Sequence, residues 1–262
     1  MRSLAIASSG MLAQQLNVDV ISNNIANMNT TGFKRQRAEF QDMLYQTLER
    51  QGVSSSDQNT LIPTGIQVGS GVRTGSVYRI MGQGNVQSTE NTYDLAVEGQ
   101  GFFRVRMPSG QTAYTRAGAF NLNATGQIVT TDGYTVEPGI TVPNGTIKVT
   151  INPQGQVFAQ LAGSTTDTNI GQFDLAAFAN EAGLDAQGSN LFLETAASGA
   201  AQVGTPGSTG FGGIRQGYLE LSNVNAVQEI TSLITAQRAY EMNSKVITAS
   251  DEMLQTTSRL SR

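Results

Sequence analysis

The 262-residue chain contains no cysteine, no histidine and no tryptophan. Without cysteine there are no disulfides and no thiolate nucleophile. Without histidine the side chain best suited to proton transfer near neutral pH is missing, and the two absences together remove the usual ligands of zinc. Charge is also sparse, with 14% of residues charged and a net charge of −4. The lysines and arginines are scattered rather than gathered into a stripe, which argues against nucleic acid as a partner. No stretch reaches the ~20 apolar residues that span a bilayer, so membrane insertion is not expected. The first 13 residues are broken by Ser8, Ser9 and Gly10 and lack the continuous apolar region and cleavage site of a signal peptide. No cofactor and no metal site are expected, and the enzyme classes that depend on such groups lose ground.

What the chain does have is periodicity at its two ends. Leu4, Met11, Val18 and Ile25 recur every seven residues, with Ala7, Ile21 and Met28 three residues after members of that column. This is the apolar stripe of a helix that packs lengthwise. Asn29–Gly32 stops it, and the pattern resumes over Phe33–Tyr45 with Phe40, Met43 and Leu44. At the other end Leu233, Tyr240, Ile247 and Leu254 form one such column and Ala239, Val246, Met253 and Leu260 the one beside it. With no glycine or proline after Tyr218, the spacing predicts one helix over about 223–260, ~57 Å long. Its double column is too wide for one partner.

The middle alternates with period two. Thr146–Ile151 and Gln156–Leu161 flank Asn152–Gly155, and Asp132-Gly133 separates Gln127–Thr131 from Tyr134–Val136; both are hairpin signals. Phe173–Ala182 fits a short helix or a strand. Arg50–Ser76 and Ala196–Gly213 read as irregular linkers. The expected fold is therefore α+β: long N- and C-terminal helices pairing as a coiled-coil-like stalk, with an inserted antiparallel β-domain and an extended linker arm. The corresponding divisions are 1–45 with 218–262 as a helical domain, 46–91 as the arm, 92–195 as the β-domain and 196–217 as the return linker.

Candidate chemistry is thin. Gly69, Gly71 and Gly75 miss the dinucleotide spacing and no Lys-Ser/Thr completes a phosphate loop, so they read as a turn-rich extended segment. Asp94 with Glu98 and Glu181 with Asp185 are pairs a glycosidase could use, but solvated surface charge accounts for them. Asn29, Asn123 and Asn144 open N-x-Thr sequons of little weight without a secretory signal. Lys34, Arg35 and Arg37 read as a solvated basic face, and Tyr240 as core or interface. A secreted glycan-binding or peptidoglycan-acting enzyme is the rival reading, and it explains neither terminal stripe.

Three blocks carry a resemblance. Ser9–Gln15, Asp19–Asn27 and Asn29–Lys34 form the first; Ser222–Asn225 with Gln237–Lys245 the second; Gly99–Phe103, Tyr114–Arg116 and Gly133-Tyr134 the third. Together they resemble the bacterial flagellar rod and hook family, with Asn24, Asn27, Thr31, Gly32, Phe33, Lys34, Asn223, Asn225, Gln237, Arg238 and Tyr240 as the signature positions. The resemblance implies a structural subunit and no enzymatic activity. It implies export through the flagellar type III apparatus without a cleaved signal and polymerisation in the periplasm into a hollow, torque-transmitting shaft. The implied partners are further copies of the chain, proximal rod proteins, the hook protein, and the peptidoglycan and outer-membrane ring proteins. Helix-to-helix assembly is then expected through Leu4, Met11, Val18, Ile21, Ile25, Leu233, Tyr240, Ile247 and Leu254, and the arm over Gln51–Arg73 is expected to touch neighbouring subunits.

Overall fold

The computed structural model describes residues 2–50, 64–164 and 166–260. The fold is α+β: an N-terminal helix α1 (Arg2–Ala26), an antiparallel β-region, and a C-terminal helix α2 (Ala226–Leu260). Between the helices run β1 (Gln36–Asp42), β2 (Tyr45–Glu49), β3 (Ile66–Gly69), β4 (Val72–Arg79), β5 (Val86–Ser88), β6 (Leu95–Glu98), β7 (Phe102–Arg106), β8 (Thr112–Thr115), β9 (Phe120–Leu122) and β10 (Ile128–Thr130). There follow β11 (Thr135–Val136), β12 (Thr146–Ile151), β13 (Gln156–Leu161), β14 (Thr168–Gln172), β15 (Leu175–Ala177), β16 (Asp185–Gly188), β17 (Leu191–Leu193), β18 (Gln202–Gly204), β19 (Gly213–Gln216) and β20 (Tyr218–Glu220).

The chain divides into two compact units, one of residues 1–25, 36–78 and 226–262, the other of 26–35 and 79–225. The first holds both helices and the two-stranded pairings β1–β4 and β2–β3. The second holds a nine-stranded sheet whose main path runs β16-β17-β8-β7-β11-β10-β9, the three-stranded sheet β12-β13-β14, and the short pairs β19–β6 and β20–β5. Its core gathers Leu95, Val97, Phe103, Phe120, Val157, Phe173 and Leu175 into one buried cluster. Edge-to-face rings add direction to that packing, as at Phe103 and Phe120, 5.1 Å apart. Both hairpins read from the sequence are present: β12 pairs with β13 across Asn152–Gly155, and β10 with β11 across Asp132-Gly133.

Several expectations are corrected. Phe33–Tyr45 does not resume a helix; it holds β1, because Ala38 and Phe40 alternate inward against Arg37 and Glu39, and β4 supplies a ladder that a short isolated helix would lack. The stretch read as irregular over Arg50–Ser76 holds β3 and the start of β4; Gln51–Pro63 lies outside the described residues. Phe173–Ala182 resolves into β15 followed by a single 3-10 turn at Glu181–Gly183, and the linker Ala196–Gly213 contains β18. The C-terminal helix begins at Ala226 rather than 223, since the Asn223 side chain is engaged in hydrogen bonds with backbone outside the helix. No described helix is long and apolar enough to cross a membrane.

Candidate functional site

Two constructions, one in each unit, concentrate the residues singled out by periodicity and signature. In the first unit α1 and α2 meet antiparallel. Asn24 Nδ2 donates to Glu229 Oε2 at 3.1 Å, and one end of the pair is thereby closed around buried polar groups. Fourteen residues earlier on α1 and fourteen later on α2, Gly10 faces Asn243 so closely that a Cβ on the glycine would sit 2.9 Å from the Asn243 amide nitrogen. The seam of α2 is therefore the column Glu229, Ala236, Asn243 and Ser250, small and polar, of which Glu229, Ala236 and Ser250 are buried. On α1 the buried positions are Ala7, Ala13, Val20, Ile21 and Asn24. Asn24 also binds both backbone groups of Gln36 at 2.8 Å, fixing the start of β1.

The apolar columns flank that seam. Leu4, Met11, Val18 and Ile25 are half-buried, as are Leu233 and Ile247, whereas Tyr240 and Leu254 remain 43% and 40% exposed. Beside them lies a groove of about 420 Å³ lined by Gln15, Val18, Gln237, Tyr240 and Glu241. Leu12, Ile234, Met242, Val246 and Met253 are likewise exposed, so this unit carries apolar surface that the chain itself does not cover.

In the second unit one signature residue, Lys34, reaches a buried carboxylate. Glu220, fully buried on β20, receives the Lys34 ammonium at 2.6 Å and the Gly84 amide at 2.9 Å on Oε1. Arg116 Nε lies 3.0 Å from Oε2, an ion contact whose angle falls outside a hydrogen bond. Arg116 spends its other nitrogens on the carbonyls of Gly99 and Gly101. Burial pulls the Lys34 ammonium below the usual lysine range even though Glu220 opposes the shift. Gly32, with φ +69°, donates its amide to the Glu220 carbonyl, and a Cβ there would strike the Ala117 backbone at 2.7 Å. Asn223 accepts from the Arg35 amide at 2.7 Å and donates to the carbonyls of Ile80 and Gly82. The expectation of a solvated Lys34–Arg37 face thus fails at Lys34, which is 2% exposed.

Comparison with known proteins finds matches along the chain. Residues 4–34 match the model of the flagella basal body rod protein, 96–159 that of the flagellar hook protein FlgE/F/G D1 domain, and 215–260 that of the flagellar basal body rod FlgEFG protein C-terminal region. A flagellar basal-body rod protein FlgG from Caulobacter vibrioides is 61% identical over 260 residues, 99% of each chain. Those of Agrobacterium fabrum and Bacillus subtilis are 54% and 43% identical, over 97% and 100% of each chain. The chain belongs to the flagellar basal-body rod protein family.

The family is one of structural subunits, and the two constructions fit that description: one joins segments of a single chain, the other presents unfilled apolar surface. Its remaining signature positions are spread along both. Asn27 accepts from the Thr30 hydroxyl and the Thr31 carbonyl from Asn190; Phe33 is half-buried; Asn225, Gln237 and Arg238 are exposed. The candidate carboxylates are engaged separately. Asp94 accepts from Thr89 and Asn91 and is buried, whereas Glu98 is exposed; Glu181 lines a different pocket, of about 430 Å³, with Arg116 and Phe102, and Asp185 is exposed. Gly69 ends β3, Gly71 turns at φ +121° against Ser9 of α1, and Gly75 lies in β4. Glu220 and Glu229 escaped sequence reading because their partners are 186 and 205 residues away, although the seven-residue column Glu229, Ala236, Asn243, Ser250 was there to be read.

Proposed function

We propose that this rod subunit polymerises into the hollow helical distal rod of the bacterial flagellum, the drive shaft that carries torque from motor to hook. The observation that carries the reading is full-length identity of 61% to a flagellar basal-body rod protein, joined to the uncovered apolar columns of the paired helices. Each subunit alone leaves Tyr240, Val246, Met253 and Leu254 in water, and burying them between copies supplies the driving force for assembly. In this reading the terminal helices pair as a coiled-coil-like stalk, and residues 1–45 with 218–262 form the polymerisation domain. Leu4, Met11, Val18, Ile21, Ile25, Leu233, Tyr240, Ile247 and Leu254 make the inner helical layer, and 92–195 forms the antiparallel β-domain. The segment Gln51–Arg73 acts as an arm that stiffens the shaft. Proximal rod proteins, the hook protein and the peptidoglycan and outer-membrane ring proteins are its neighbours across the periplasm, and the flagellar type III apparatus exports it. The chain acts without cofactor or catalysis.

Quantitative mass spectrometry of purified hook–basal bodies tests this. A copy number several times that of each proximal rod protein is the expected result. A comparable number moves the chain to the proximal rod, and its absence from the particles ends the rod reading.

A further inference from the structure

The antiparallel register leaves the helix pair uneven at one end. Asn24 meets Glu229 and Gly10 meets Asn243, so each step along α1 is matched by an equal and opposite step along α2. Continued, that register sets Arg2, the first residue of α1, opposite Asp251. Glu252–Leu260 then runs on for about 13 Å past the reach of α1. Every side chain from Asp251 to Arg259 is exposed, among them the adjacent apolar pair Met253, 61% exposed, and Leu254. An apolar pair on an unpaired helix end is a knob without a hole.

The hole is on the same molecule. The groove between Val18 of α1 and Tyr240 of α2 has the volume for side chains of the size of methionine and leucine, and a polar rim of Gln15, Gln237 and Glu241. Leu254 lies two heptads beyond Tyr240 on one column, ~21 Å along a single helix, so knob and hole cannot meet within one chain. Two different, complementary patches on one molecule make a head-to-tail contact that propagates without closing.

We infer that the overhang of α2 in one copy seats Met253 and Leu254 in the Val18–Tyr240 groove of the next copy. The inference rests on the rod reading for the existence of a polymer and names one contact within it. Because the chain has no cysteine, introduced pairs report this contact without background. Hook–basal bodies are isolated under reducing conditions from cells whose only copy carries Met253→Cys with Gln237→Cys, then oxidised. A reducible ladder of covalent oligomers holding more than half of the chain is expected. Met253→Cys with Thr235→Cys, which points to the opposite side of α2, should give none. Rods that contain the chain but yield no ladder, or equal ladders from both pairs, overturn the inference and leave the rod reading standing; a wild-type chain missing from the particles overturns both. As a second measurement, a Met253→Ser, Leu254→Ser chain with unchanged circular dichroism competes with wild type for incorporation. A tenfold or greater deficit supports the contact, and equal incorporation overturns it.

Discussion

Lys34 and Arg116 are two cations brought to one buried carboxylate, and their mutational responses should differ for that reason. Glu220→Gln leaves both cations facing a neutral amide in a site with little water, and should destabilise by about 3–5 kcal/mol. Lys34→Met leaves Glu220 with Arg116 and the Gly84 amide, and should cost about 1–3 kcal/mol. Urea midpoints of the purified chain will show the order; equal losses would mean that the carboxylate does not organise the cluster. Glu181, beside this cluster, makes stability depend on pH. Burial holds its carboxyl above the usual range against the pull of Arg116 and Lys34, so the folded chain binds that proton more tightly than the unfolded chain. Stability should therefore fall as pH rises above 4.5 through the folded value, and Glu181→Gln should be the more stable protein at pH 7, with a flatter midpoint over that range. None of this was legible in the sequence. Gly32, Lys34 and Asn223 could be picked out by resemblance, but the reason they are there is a carboxylate 186 residues from Lys34, which no local pattern reports.

At the level of elements the long helices were legible because each repeats one period over the length of a long helix, 25 residues in α1 and 35 in α2, and such a signal survives a few exceptions. Strand β1 was not, because Phe40, Met43 and Leu44 happen to fit helical spacing, and only pairing with β4 selects the alternating reading. The apolar columns were read correctly as periodic and incompletely as a seam. Gly10 of α1 comes close to Asn243 of α2, and the buried positions of α2 in the same column are Glu229, Ala236 and Ser250, residues too small or polar to register as a stripe. Asn24 joins three elements there, so Asn24→Ala removes two hydrogen bonds to Gln36 and one to Glu229 and should cost about 3 kcal/mol at ~1 kcal/mol each. Gly32→Ala should lose about 1–3 kcal/mol, because φ +69° is strained for any side chain and the Ala117 backbone cannot retreat. Thermal unfolding of the two variants measures both.

For the whole molecule the division of buried apolar surface matters more than any single contact. Among the described residues the buried apolar clusters all lie in the unit formed by 26–35 and 79–225, whereas the unit with the helices carries exposed Leu12, Tyr240, Met242, Val246 and Met253. Helices of this length held by few buried side chains open locally at a fraction of the global unfolding free energy. Isolated chains should accordingly exchange the amides of α1 and α2 within seconds to minutes, fastest beyond Asp251, while β7, β8 and β13 stay protected for hours or longer. Under the proposed polymerisation, ordering is coupled to assembly: burial between copies offsets the entropy of fixing the helices, and an unpaired subunit resists premature polymerisation. Leu233→Asp with Ile247→Asp separates the two units cleanly. The substitutions should leave β-strand protection unchanged in the isolated chain yet abolish incorporation into rods, since a carboxylate buried between subunits has no partner. Normal rods from that variant would show that the inner helical layer runs along another face.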